Sequence, residues 1–188
     1  MTSSSPRTRP PLVAAPSARL VYRMILPADA ALLLALMNDP DYHRYIGDRG
    51  LKTIEDARHY IREHIAPHHT RHGYGLWLAA TQTGTPVGIA GLLKRDRLDE
   101  PDIGYALLAG ARGKGYGREA AAAMLAHGFL ALSARNLYAI TNPENAVSNG
   151  LLASLGFSVI DGAFQMTPEA KPSYLHRLER PATLAPAS

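Results

Sequence analysis

The stretch Ala111-Arg112-Gly113-Lys114-Gly115-Tyr116-Gly117-Arg118-Glu119 constrains this chain more than any other. It stands directly ahead of the strongest helical pattern, in which Ala121, Met124, Leu125, Gly128, Phe129 and Leu132 recur at the spacing of one apolar face. Ahead of it, Asp102 to Leu108 reads as a strand. Glycines let a backbone take positive φ and approach a ligand closely. The first amides of a helix have no internal partner, and the helix dipole favours negative charge there. Together they make an anion site suited to a pyrophosphate. Arg112, Lys114 and Arg118 add positive charge. A glycine-rich turn with solvated charges is the plain alternative.

Two common phosphate-binding readings fail on context. A Walker loop needs serine or threonine after its lysine, and Gly115 stands there. A dinucleotide fingerprint follows the first strand of a βαβ unit and has an acid about 20 residues on. Here the loop follows the fourth strand, and no such acid is present.

The remaining pattern is consistent with one domain. Ala18 to Met24 alternates like a half-buried strand. Pro27 opens an alanine- and leucine-rich helix over Ala28 to Met37, which Asn38-Asp39-Pro40 stops. Thr53 and Asp56 form a capping-box start, with Ile54, Ala57, Ile61 and Ile65 on one face and Pro67 ending the helix. Tyr74 to Ala80 and Pro86 to Leu93 form a hairpin. Asn136 to Thr141 is a strand, and Ala146 to Leu155 a short helix with Val147, Leu151, Leu152 and Leu155 inward. Strands begin at Phe157 and at Ser173. The order β-α-α-β-β-β-α-β-α-β-β predicts a mixed α/β sheet packed with helices.

Composition bounds the function. The 188 residues carry 46% hydrophobic and 19% charged side chains, a globular balance. No apolar run approaches a membrane span. With no cysteine, a disulfide, a thiolate metal site and a cysteine nucleophile are all excluded. That lack suits the cytoplasm. The net charge of +4 fits an anionic ligand and is too small to argue for nucleic acid. Residues 1–16 read as a disordered tail, or less simply as an organelle transit segment that their prolines oppose. Residues 17–179 form the expected folded domain and 180–188 a second loose tail.

The chain resembles the GCN5-related N-acetyltransferase (GNAT) superfamily. That family's pyrophosphate loop, Arg/Gln-x-x-Gly-x-Gly/Ala, is matched by Arg112-Gly113-Lys114-Gly115-Tyr116-Gly117 in place and context. Asp102-Ile103-Gly104-Tyr105, Asn142-Pro143-Glu144-Asn145-Ala146-Val147-Ser148 and Leu155-Gly156-Phe157 match further elements. Arg19-Leu20-Val21-Tyr22-Arg23, Met37-Asn38-Asp39-Pro40 and Arg118-Glu119-Ala120 are similar to the branch of ribosomal-protein N-terminal (alanine/serine) acetyltransferases. The likeness runs from about Ala18 to Ile160. It implies a single-domain, mostly antiparallel sheet with helices on both faces and two central strands splayed apart. It also implies acetyl-CoA as co-substrate, without a metal, and an amine acceptor: a protein N-terminus or a small amine. A non-catalytic acyl-CoA sensor or scaffold is the alternative. Monomer and homodimer both stay open.

The resemblance assigns roles residue by residue. Leu107 and Leu108 supply backbone groups to the pantetheine arm, and Arg112 to Gly117 hold the pyrophosphate. Asp102 stands where relatives often place a glutamate that takes a proton from the ammonium; the simpler reading is a surface carboxylate in an acidic turn. Asn145 touches the cofactor or is only a helix N-cap. Ser148 lies near the sulfur, where it would protonate the departing thiolate. Without a cysteine or a Gly-x-Ser-x-Gly elbow, direct attack of the amine on the thioester is the simplest route. Tyr42, His43 and Tyr45 line the acceptor side or simply pack a loop. His64, His68, His69 and His72 suggest zinc less than a solvated loop, since Pro67 separates them from one helical face.

Overall fold

The computed structural model describes residues 13–184. Seven strands form one sheet: β1 (Leu20–Met24), β2 (Leu76–Thr81), β3 (Pro86–Leu93), β4 (Asp102–Leu107), β5 (Asn136–Thr141), β6 (Ser158–Phe164) and β7 (Ser173–Glu179). They lie side by side as β1-β2-β3-β4-β5-β7-β6. Every neighbouring pair is antiparallel except β4 and β5. The mixed, mostly antiparallel sheet read from the sequence is therefore present.

Helices cover both faces. One carries α1 (Ala30–Met37), α2 (Pro40–Tyr45), α3 (Ile54–Tyr60) and α4 (Ala66–His72). There Leu33, Leu36, Ala57 and Ile61 pack on Leu78, Ala80 and Ile89. The other carries α5 (Tyr116–Ala126), prolonged by a π-helical turn at His127–Ala131, and α6 (Ala146–Ser154). Ala120, Ala121, Met124, Phe129 and Leu152 join Leu20, Trp77, Leu92 and Leu137 in that core. The α5 face read from the sequence is buried as expected. Gly128 is required there, because a Cβ would stand 2.8 Å from Leu137 Cδ1.

The α3 start is the expected capping box: Asp56 N–H donates to Thr53 Oγ1, and Thr53 N–H to Asp56 Oδ2. Pro67, however, does not end the helix. A π-helical turn at Ile61–Ile65 shifts the hydrogen-bond register, so that Pro67 falls in the first turn of α4, where no amide is needed. Residues 40–45, read as loop, form α2. Its N-cap Asp39 accepts from Asp41 N–H, and Pro40 fits the first turn. Val147, expected inward, is 82% exposed, since the first turn of α6 lies outside the core.

Packing begins ahead of residue 17, for Ala14 is already buried in the core. At the other end, Arg180 N–H donates to Arg135 O at 2.8 Å. Residues 1–12 and 185–188 of the expected tails lie outside the described residues.

Candidate active site

The sheet opens in its middle. β3 and β4 pair along six residues, and so do β5 and β7. Between β4 and β5 only Asp102 and Tyr138 pair, with Tyr138 N–H donating to Pro101 O. Beyond that pair β4 leaves a bare edge. Strand alternation decides which groups it presents. Leu108 N–H donates to Val87 O on the β3 side, so Leu107 and Tyr105 turn their main-chain groups toward the gap. The Leu108 carbonyl accepts from Ala111 N–H. Both Leu108 groups are therefore used, and the expectation for Leu108 is corrected: Tyr105 and Leu107 carry the open edge.

The glycine loop stands at the far end of this gap. Gly113 and Gly115 take φ of +73° and +80°. Gly115, left-handed, is the N-cap of α5 and has no side chain to satisfy the helix. Among the described residues, the amides of Gly113 to Gly117 find no protein acceptor. Gly113, Lys114 and Gly115 are exposed. Gly117 is buried against Leu107 and Leu151, so the helix sits hard by the gap.

The basic residues behave differently from one another. Arg112 is not free for phosphate. It donates to Asp39 Oδ1 at 2.7 Å, to Asp41 Oδ2 at 2.8 Å and to Leu107 O at 3.2 Å. It fastens the α2 cap to the loop, which corrects its expected role. Burial pushes the Asp39 carboxyl up, yet the Arg112 guanidinium and the Asp41 amide outweigh it and hold it below its usual value. Lys114 Nζ reaches the Gly110 carbonyl at 2.7 Å on the exposed loop. Arg118 is exposed. Arg19, in the sequence only a residue of the first strand, joins the loop. It donates to Glu119 and to Lys114 O, and lies 4.7 Å over the Tyr116 ring.

The start of α6 faces the loop across the gap. Asn145 Oδ1 accepts from Ser148 N–H at 3.0 Å, so Asn145 is the N-cap. The cap uses its oxygen and leaves its amide NH2 available. Ser148 Oγ lies 2.9 Å from Tyr105 Oη. In the sequence Tyr105 is only the last residue of the Asp102-Ile103-Gly104-Tyr105 strand motif. Burial pushes its hydroxyl above its ordinary value, and the Ser148 contact partly opposes this.

Bare strand edge, open helix start and polar helix start converge on one opening between two strands. An acetyltransferase (GNAT) domain model matches residues 19–158. The chain belongs to the GNAT acetyltransferase family. It is 28% identical over 142 residues to the uncharacterized N-acetyltransferase YoaA of Bacillus subtilis, covering 74% of this chain and 79% of the relative. Among solved structures, it resembles the RimL ribosomal L7/L12 alpha-N-protein acetyltransferase in complex with coenzyme A. The TM-score there is 0.73 at 17% identity, over 90% of this chain and 97% of that one. It also resembles the spermidine N-acetyltransferase of Vibrio cholerae in complex with CoA and spermine. The TM-score is 0.70 at 15% identity, over 85% of this chain and 95% of that one.

In this GNAT chain Asp102 lies at the closed end of the gap. It is not the surface carboxylate of the simpler reading, being only 3% exposed. Arg95 Nε donates to its Oδ1 at 2.9 Å. Burial pushes the carboxyl above its usual value, although the Arg95 charge pulls it down. Tyr42 is buried, while His43 is exposed and Tyr45 half-buried.

The histidines hold structure together. His68 Nε2 accepts from Lys94 N–H, so its Nδ1–H donates to Tyr74 O at 2.9 Å. His69 Nε2 bonds Leu76 O, and its ring stands edge-on to Trp77 at 5.4 Å. The reading of a solvated loop is therefore corrected for these two, which tie α4 to β2. Among the described residues, no group of three or more His, Asp or Glu side chains could hold a metal ion. No helix among them is long and apolar enough to cross a membrane.

Proposed function

We propose that this GNAT enzyme moves an acetyl group from acetyl-CoA to a primary amine, by direct attack within a ternary complex. The observation that carries this reading is the bare β4 edge running into the unsatisfied amides of residues 113–117. Those amides suit a pyrophosphate. The Tyr105 main-chain groups and the Leu107 N–H suit the amides of a pantetheine arm, and an N–H of this edge would polarise the thioester carbonyl as the oxyanion develops. Asn145 offers its side-chain amide to the same arm.

At the closed end, Asp102 takes the proton that an ammonium must lose before it can attack. A carboxyl raised by burial is a better base at neutral pH than an ordinary one. Ser148, half-buried on α6, returns a proton to the departing thiolate. Holding the reactants together supplies much of the rate enhancement. The two structural relatives are named for a protein N-terminus and for a polyamine, which supports a primary amine as the acceptor class.

Calorimetry with acetyl-CoA, followed by thiol release against N-terminal peptides and polyamines, tests the reading. We expect binding and turnover with one of the two acceptor classes. A folded sample that binds no acetyl-CoA overturns the proposal, and one that binds but releases no thiol supports an acyl-CoA sensor instead. Asp102→Asn should remove the ascending limb of the pH–rate profile. An unchanged profile would take Asp102 out of the chemistry.

A further inference from the structure

The contact between Tyr105 and Ser148 joins two elements that the sheet keeps apart. Tyr105 projects from β4, and Ser148 stands one turn into α6, 43 residues later. Their hydroxyls meet at 2.9 Å across the opening. Tyr105 belongs to the gap-facing set of β4 and packs against the core beneath α5. Ser148 is fixed by its own amide, which the Asn145 cap holds. Its hydroxyl has one proton to give and two lone pairs to receive with. If it donates outward, the Tyr105 hydroxyl donates to it from behind.

Resting on the reading of Ser148 given above, we infer that Tyr105 is the second member of a two-hydroxyl proton relay to the leaving sulfur. The amine nitrogen bonds to the carbonyl carbon and, cationic once bonded, gives its extra proton to solvent, while the carbon–sulfur bond breaks with its electron pair going to sulfur. Ser148 gives its hydroxyl proton to that sulfur. Tyr105 gives its own to Ser148 Oγ and regains one from solvent. Serine alone would leave an alkoxide, a far stronger base than the thiolate it protonates. The tyrosine hydroxyl, intrinsically more acidic than that of serine, makes the transfer easier. Tyr105 acts through Ser148, so it is a positioning residue for this step.

Tyr105→Phe keeps the ring and the packing and removes only the hydroxyl. We expect kcat to fall about tenfold with KM for acetyl-CoA unchanged, as for an interaction made in the transition state alone. Ser148→Ala should fall further, by about a hundredfold. The double variant should be no worse than Ser148→Ala, because both act in one chain. A second readout needs no turnover. The thiol of bound CoA, followed by its ultraviolet thiolate absorbance, should titrate about half a unit higher in Tyr105→Phe, since Ser148, no longer receiving the Tyr105 hydrogen bond, donates less strongly to the anion.

The possible failures are distinguishable. If Ser148→Ala keeps its kcat, the reading of Ser148 falls and the relay falls with it. If Ser148→Ala is slow while Tyr105→Phe keeps both kcat and thiol titration, Ser148 stands and the relay is wrong. A rise in KM alone for Tyr105→Phe makes the tyrosine a wall of the cleft and also ends the inference.

Discussion

Two helix starts face each other across the opening, and they are finished in opposite ways. At α5 the cap is a left-handed glycine, and the amides of residues 113–117 have no acceptor among the described residues. At α6 the cap is Asn145, whose oxygen takes the Ser148 amide. An unfinished start holds its positive end open for an anion. A finished one spends that capacity on fixing a side chain, here the Ser148 hydroxyl beside Tyr105. Two termini of the same kind are thus divided between holding a ligand and presenting a group to it.

The largest expected effect breaks this contrast on the open side. Gly115→Glu puts a side chain on a backbone at φ +80°, with the Cβ 3.2 Å from the Arg19 guanidinium, and brings negative charge to the loop. We expect calorimetric affinity for CoA to fall about a hundredfold or more, from backbone strain and repulsion of the diphosphate together. Unchanged affinity in a folded variant would move the phosphate elsewhere. The opposite start should answer in a different currency. Asn145→Ala removes a cap worth about 1 kcal/mol and frees the Ser148 backbone. kcat should fall about fivefold, while affinity for CoA changes less, because the Asn145 amide is one contact among several. Equal losses of affinity in both variants would erase the distinction.

The smallest effect spares both caps. Burial holds the imidazoles of His69, His127 and His176 below their ordinary value of 6.5. The folded chain keeps these rings neutral where the unfolded chain takes up protons. Their contribution to stability is whole above about pH 6.5 and is lost as pH falls through that value toward the lowered folded ones. Denaturant unfolding should show stability falling between about pH 7.5 and about pH 5.5, with no such fall at higher pH. The aspartates held low, such as Asp29 and Asp56, titrate below that window. His176 adds a link to the comparison. It donates to Thr141 Oγ1, which donates to Asn149 on α6, so this buried ring is tied to the helix with the capped start.

Local chemistry was the legible part. Glycines at 113 and 115 announced positive φ, Thr53 and Asp56 announced a helix start, and Asn145 was open to both a cap and a cofactor role. Pairing across the fold was not legible. Arg112 finds Asp39 and Asp41 more than 70 residues away, and nothing near it in sequence shows that its charge is spent. Leu108 differs from Leu107 only through the ladder with β3, which sets which way each amide points. Asp102 followed two acidic residues and looked exposed. Its burial comes from Leu93 and Tyr138 on either side of it in the sheet and from Arg95, which bonds its carboxylate. Pro67 obeyed a sound local rule, which the preceding π turn set aside. Tyr105 stood in a strand motif, but the use of its hydroxyl was not legible, because its partner Ser148 lies on another element.

One rung at Asp102 and Tyr138 fastens the two halves of the sheet, and the apolar floor under α5 does the rest. A guest that bonds to Tyr105 and Leu107 would supply missing rungs, so the co-substrate would serve for a time as part of the scaffold. At a hundred times its dissociation constant, such a guest would add about 2.7 kcal/mol to the folded state. Scarcity of the thioester would then leave the enzyme easier to unfold as well as idle, and melting temperature would report how well the acetyl supply is kept.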